Sequence, residues 1–241
     1  SPVLMRWSET EKSSGVGVLR LELEAALVDP EVPVEVHPGL FEVQLITPAA
    51  AKHIRTSAEA VKQRSSELRR HLTPPNSMHY AGFRTKEVGW DAVLTKCLGN
   101  RMAGLASALF PEAMPGAPTG CHSFLVDYGP EADRDLSLHV DDSQVTFNLW
   151  LGGDAEGTEV RFEGMRCVGH LQSGVEAEEA FSWVGRPGRA LVHRGLHRHR
   201  TLPVYSGERQ SLIFWLTHEP VRERWLGGES SFCPLCSGSS R

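Results

Sequence analysis

The sequence predicts a mainly β chain with flanking helices, its strands closed into a double-sheet jelly roll, and three observations carry that prediction. From Cys121 onward, short runs of alternating apolar and polar residues are separated by Gly, Pro and Asp, at 123–128, 136–140, 144–151, 158–163, 180–184, 189–193, 198–204 and 209–217. Period-two runs of this length are half-buried strands, and eight of them suit two packed sheets. Upstream, two long segments carry helical spacing instead. The 241 residues, 40% of them hydrophobic, suffice for one substantial core.

Taken in order, residues 18–29 begin with alternation and end without it, so strand and helix both stay open there. Pro30, Pro33 and Pro38 break the chain, and Phe41-Glu42-Val43-Gln44-Leu45-Ile46 alternates as a strand. Thr47-Pro48 is a cap followed by a first-turn proline, which opens a helix from about Ala49 to His71 that Thr73, Pro74, Pro75 and Asn76 end. A second helix from Trp90 to Phe110 places Val93, Leu94, Cys97, Leu98, Met102, Leu105 and Leu109 on one face, and Pro111 and Pro115 stop it. Residues 167–179 read as a variable insertion and 219–241 as a Ser- and Gly-rich tail outside the barrel. The expected organisation is a helix-rich part at 1–120 packed on a barrel core at 121–218, together one structural domain, followed by the tail at 219–241.

Net charge is −5, with no run of Lys or Arg, which gives no electrostatic footprint for nucleic acid. No stretch reaches the ~18 consecutive apolar residues of a membrane span. No secretory leader is visible, and because the chain starts at Ser1 that carries no weight; the expectation is a soluble, intracellular protein of open oligomeric state. The five cysteines, Cys97, Cys121, Cys167, Cys233 and Cys236, are odd in number and irregular in spacing, which argues against a disulfide framework. Cys233-Pro234-Leu235-Cys236 could be half of a zinc site, but no second pair stands out, so an exposed tail with two free or mutually bonded thiols is preferred to zinc.

Chemistry concentrates in two segments, His139-Val140-Asp141 and His199-x-x-x-Pro203-x-x-x-Gly207-x-Arg209. His-x-Asp at a strand end puts an imidazole and a carboxylate on one face, and a later strand can bring a third ligand. Two His and one carboxylate on one face of a metal, with the opposite positions open, is the arrangement of non-haem Fe(II) oxygenases. Arg209 offers a guanidinium fork for the far carboxylate of 2-oxoglutarate, with the Ser211 hydroxyl two residues on.

These segments also carry a family resemblance. Phe124-Leu125-Val126-Asp127-Tyr128, Leu136-Ser137-Leu138-His139-Val140-Asp141-Asp142-Ser143, Thr146-Phe147-Asn148-Leu149-Trp150-Leu151 and Pro187-Gly188-Arg189-Ala190-Leu191-Val192-His193-Arg194-Gly195, followed by His199, resemble the prolyl/lysyl hydroxylase group of Fe(II)/2-oxoglutarate dioxygenases. The likeness is to the catalytic domains of collagen lysyl hydroxylases and to the vertebrate 2-oxoglutarate- and iron-dependent oxygenase-domain proteins. It spans about 121–217, and a weaker likeness reaches from the second helix to Cys236. The resemblance implies the double-stranded β-helix, cupin-like form of the barrel, with His139, Asp141 and His199 as iron ligands and Arg209 on the 2-oxoglutarate carboxylate.

It further implies that Tyr128 faces the cosubstrate or substrate pocket. After Tyr128-Gly129-Pro130 the chain departs from the family pattern with the acidic run Glu131-Ala132-Asp133-Arg134-Asp135. His193, His197 and His199 share strand parity, and the ten-residue offset to Arg209 selects His199, leaving His197 beside the pocket and His193 as a satisfied barrel residue. Thr146 and Asn148 alternate on the next strand, either filling the barrel or touching 2-oxoglutarate. The expected activity is hydroxylation of an unactivated C–H bond with Fe(II), 2-oxoglutarate, O2 and ascorbate. The expected substrate is a Lys or Pro side chain of a basic polypeptide drawn by the acidic loops at 129–135 and 167–179 at one open end. The alternatives are a small-molecule metabolite or a non-catalytic interaction domain.

Overall fold

The computed structural model describes residues 31–226 and 233–237; the open question at 18–29 lies outside them. A seven-stranded sheet is built from β1 (Val34–His37), β2 (Leu40–Gln44), β10 (Arg189–Arg194), β6 (Val145–Gly153), β13 (Arg209–Thr217), β4 (Gly120–Tyr128) and β3 (Gly82–Arg84), in that spatial order. A four-stranded sheet orders β5 (Leu136–His139), β11 (His197–Thr201), β8 (Val160–Met165) and β9 (Ala180–Trp183), and β7 (Glu156–Gly157) pairs with β12 (Val204–Ser206). Every ladder is antiparallel. The chain is the jelly-roll, double-stranded β-helix the sequence predicts.

Two helices, α1 (Pro48–Glu67) and α2 (Trp90–Leu109), cover the outer face of the large sheet. The Thr47 hydroxyl accepts from the Ala50 N–H at 3.2 Å, the cap expected from Thr47-Pro48. The helix stops at Glu67, short of His71, where Arg69 adopts a φ of 52° and the Ser65 hydroxyl takes the Arg70 carbonyl. Ile54, Ala58, Leu94, Leu98 and Met102 bury their apolar faces against Leu125, Phe147, Leu149, Leu212 and Phe214. Along β6 the odd positions Val145, Phe147, Leu149 and Leu151 enter this layer, so Thr146, Asn148 and Trp150 must face the barrel interior.

Three departures from the sequence expectation have local causes. The run at 198–204 is two strands, because Leu202-Pro203 leaves the ladder and Val204 bonds instead to the Arg134 carbonyl at 2.8 Å. Val34–His37 and Gly82–Arg84 are edge strands too short or too exposed to show a period. Gly82 is where it is because a Cβ would lie 2.0 Å from the Leu125 carbonyl oxygen. The acidic loops at 129–135 and 167–179 do not share an end of the barrel. Leu136 pairs through Thr201 with Val160, whereas the second loop follows Met165 at the other end of β8. The tail does not stay apart either: after α3 (Glu219–Leu226), Cys233 is 1% exposed and precedes α4 (Pro234–Ser237) beside the 167–179 loop.

Candidate metal centre and cosubstrate pocket

Antiparallel pairing of β5 with β11 sets His139 directly opposite His199. Asp141 follows two residues later, just past the end of β5, its N–H held by the Gly195 carbonyl at 2.9 Å. Gly195 permits that approach, since a Cβ there would meet the Ser143 carbonyl oxygen at 2.0 Å. His139 Nε2 lies 3.5 Å and His199 Nε2 3.8 Å from Asp141 Oδ1, and the two rings are 4.2 Å apart. Donor atoms of His139, Asp141 and His199 all fall within 4.8 Å of one another.

The tautomers are set from behind. Ser137 O sits 2.8 Å from His139 Nδ1 and His197 O 2.9 Å from His199 Nδ1, so each Nδ1–H donates to the backbone and each Nε2 is turned toward the centre. Burial alone would raise the Asp141 pKa, but the His199 and His139 imidazoles hold its carboxyl well below the usual range. Burial, with His139 next to it, pushes His199 down to about 3, which keeps it neutral. Burial works to lower His139 as well, but the adjoining Asp141 carboxylate raises it overall, so a divalent cation would displace the proton His139 shares with Asp141 as it binds.

Tyr128, Thr146, Asn148 and Arg209 line a cavity of about 300 Å³ that includes the triad. Arg209, 2% exposed, opens β13 with its guanidinium 4.3 Å over the Tyr128 ring and 4.6 Å over the Trp150 ring. It donates to the Thr158 carbonyl, and among the described residues no carboxylate pairs with it. Burial lowers its pKa to about 10, so it stays charged at neutral pH. Asn148 lines the same cavity with its Oδ1 unpartnered, and Arg209 Nε is likewise without a protein partner. Ser211 is fully buried on the same face and its hydroxyl has no partner, but it is not part of the cavity wall. Thr146 reaches the cavity by donating to Asp141 Oδ2 at 2.6 Å, and Ser143 Oγ sits 2.8 Å from its hydroxyl.

A buried cation with unused donors beside a His/Asp/His cluster fits a dianionic 2-oxo acid and a divalent metal: the triad would hold the ion, and Arg209 the distal carboxylate. His193 comes within 3.9 Å of Asp141 Oδ2, yet its Nδ1 is tied to the Arg194 carbonyl and its Nε2 is unpartnered, so it is not the satisfied residue expected. His197 packs edge-on to Phe162, with both ring nitrogens unpartnered and outside the cavity wall.

Sequence reasoning missed His79. Its Nε2 is 3.0 Å from the Tyr128 hydroxyl, its Nδ1 is 3.1 Å from Asn76 Oδ1, and Thr201 Oγ1 completes the chain by donating to Tyr128 at 3.1 Å. Asn76 also caps the backbone of Met78 and His79, at 2.9 and 3.1 Å. The only signal was Pro75-Asn76, which marks a turn and says nothing of what the turn carries.

No family model matches the chain. It is 32% identical over 204 residues to "2-oxoglutarate and iron-dependent oxygenase domain-containing protein ICU11" of Arabidopsis thaliana, covering 81% of this chain and 51% of that protein. The chain belongs to the 2-oxoglutarate- and iron-dependent oxygenase family, whose members are oxidoreductases. A Xenopus tropicalis relative, "2-oxoglutarate and iron-dependent oxygenase domain-containing protein 2", is 32% identical over 163 residues, covering 67% of this chain and 43% of the relative. The chain thus spans about half the length of the curated oxygenases it matches. Among solved structures, AviO1 of Streptomyces viridochromogenes aligns with a TM-score of 0.54 at 13% identity, over 90% of this oxygenase chain and 97% of that one. The epimerase SnoN of nogalamycin biosynthesis aligns at 0.50 with 12% identity, over 84% of each, and both likenesses concern the fold.

Proposed function

We propose that this chain hydroxylates an unactivated C–H bond, in a Lys or Pro side chain of a polypeptide, using Fe(II), 2-oxoglutarate and O2, with ascorbate sustaining turnover. The observation that carries the reading is Arg209: a buried, charged guanidinium that no carboxylate among the described residues pairs with, held between two aromatic rings in the cavity that contains the triad. Iron and the 2-oxo acid supply the oxidising chemistry when bound. The protein's part is positional. His139, Asp141 and His199 present three donors on one side, Arg209 orients the cosubstrate by its far carboxylate, and Phe124, Val126, Ile213 and Trp215 form apolar walls that limit water.

The preference for a polypeptide is supported by the surface next to the cavity. A shallow depression lined by Met78, Tyr80, Asp133, Arg134, Asp135, Leu136 and Ser137 shares Met78 and Leu136 with the cavity wall, and Tyr80 is 68% exposed. Asp135 is exposed there, while Asp133 is committed to the Tyr80 and Ala81 N–H groups. The loop at 167–179 lies at the other end of β8 and does not line this depression. The resemblance to collagen lysyl hydroxylases read in the sequence would place the substrate in the same class.

The test is succinate release and the gain of one oxygen atom in product, followed over Lys- and Pro-containing peptides and a panel of small acids, with and without iron and ascorbate. Iron-dependent oxygen incorporation into a peptide supports the proposal. Incorporation only into a small acid moves the substrate to the metabolite class, and no succinate under any condition makes the chain an interaction domain on an oxygenase scaffold.

A further inference from the structure

Outside the oxygenase centre, a second cluster assembles from parts far apart in sequence. Cys167-x-x-His170 follows β8 and Cys233-x-x-Cys236 belongs to the tail, and their donor atoms lie within 4.8 Å of one another. Each pair sits on one turn closed by a backbone bond, His170 N–H to Cys167 O at 2.9 Å and Cys236 N–H to Cys233 O at 3.0 Å. Sequence reading took Cys233 and Cys236 for an exposed pair lacking partners. The partners are a cysteine and a histidine with the same spacing, inside the segment read as an insertion.

The distances discriminate between explanations. His170 Nδ1 is 3.2 Å from Cys167 Sγ, 3.4 Å from Cys233 Sγ and 3.4 Å from Cys236 Sγ, and Cys167 Sγ is 3.6 Å from Cys236 Sγ. One ring nitrogen has one proton or one lone pair, so three sulfurs around it cannot all be its hydrogen-bond partners. No disulfide joins the described cysteines. A tetrahedral zinc ion with Zn–S of about 2.3 Å and Zn–N of about 2.0–2.1 Å requires S···N edges of roughly 3.5 Å and S···S edges of roughly 3.8 Å. The four distances are those edges, drawn in slightly.

We propose that Cys167, His170, Cys233 and Cys236 bind one Zn(II) in a closed Cys3His site that clips the C-terminal tail to the loop after β8. Four protein donors leave no open position, so the site is structural. Its placement says what it holds. Arg166 takes both oxygens of Glu179 at 2.7 and 2.8 Å together with Ser173 and Gly174, and Arg198 gathers the carbonyls of Glu163, Leu171, Ser173 and Gly174. The zinc fastens the start of that loop, and Arg198 is the residue before His199. The clip therefore braces the outer side of the strand whose inner side carries the oxygenase centre.

Metal analysis of the purified chain tests this once the two centres are separated. In an Asp141→Ala/His199→Ala variant, which lacks the oxygenase triad, equimolar zinc should remain. In Cys233→Ser/Cys236→Ser it should be lost, with the 167–179 loop becoming cleavable in limited proteolysis. If the cysteine variant does not fold, cobalt(II) substitution into the triad variant decides. Thiolate-to-cobalt charge transfer with intense tetrahedral bands supports the site; a weak octahedral spectrum overturns it. A triad variant free of zinc, loaded with iron instead, or carrying a Cys167–Cys236 disulfide under native conditions would also overturn it.

Discussion

The Thr146 hydroxyl donates to Asp141 Oδ2 at 2.6 Å, leaving Asp141 Oδ1 as the oxygen that faces both His139 Nε2 and His199 Nε2. That hydrogen bond orients the carboxylate without touching the metal position. Thr146→Val keeps the shape and removes the donor, so Fe(II) affinity should fall by roughly 10- to 100-fold while the 2-oxoglutarate dependence at saturating iron keeps its form. Equilibrium iron titration checks it, and an unchanged affinity would make Thr146 a packing residue.

His199 and His197 are both buried on β11, but only His199 faces Asp141. His199→Ala should abolish stoichiometric Fe(II) binding, and His197→Ala should retain it even if packing against Phe162 suffers. Iron retained by the His199 variant rejects the assignment.

Arg209→Ala removes a bidentate, charge-assisted contact from a desolvated pocket, a loss on the order of 2–4 kcal/mol. Apparent 2-oxoglutarate affinity should fall by roughly 30- to 1,000-fold, with iron binding intact. Because the ring sandwich of Tyr128 and Trp150 suits a planar cation, Arg209→Lys should rescue little. An unchanged titration in the Ala variant refutes the role.

His79 should govern part of the acid limb of stability. Burial, with a smaller effect of His139, lowers its pKa from 6.5 to about 4. Between those values the unfolded chain binds the proton and the folded chain resists it, so stability is full above 6.5 and declines as pH falls toward 4. The loss reaches about 3 kcal/mol at most. Denaturant unfolding of wild type and His79→Gln at neutral and mildly acidic pH should show a shallower pH slope in the variant. Equal slopes would disprove it.

Much of this site was legible in the sequence because its signals are local. Period-two alternation outlined β4, β5, β6, β8, β10 and β13, and Thr47-Pro48 opened α1, since strand facing and helix capping depend on neighbours only a few positions away. His139-x-Asp141 declared a metal-binding pair for the same reason. The vertebrate oxygenase-domain likeness read from these segments agrees with the Xenopus relative at 32% identity.

What the sequence by itself determined, then, was which residues are strands, which face each presents, and which side chains have ligand chemistry. Only the tertiary structure decided which distant segments meet. It set His199 opposite His139, turned Thr146 onto Asp141, carried His79 to Tyr128, put the two acidic loops at opposite ends of β8, and brought Cys167 and His170 to Cys233 and Cys236. The physical reason is that register and loop placement come from non-local backbone pairing. Shifting a strand by one residue would reverse every face, and no window of sequence contains both partners of such a pair.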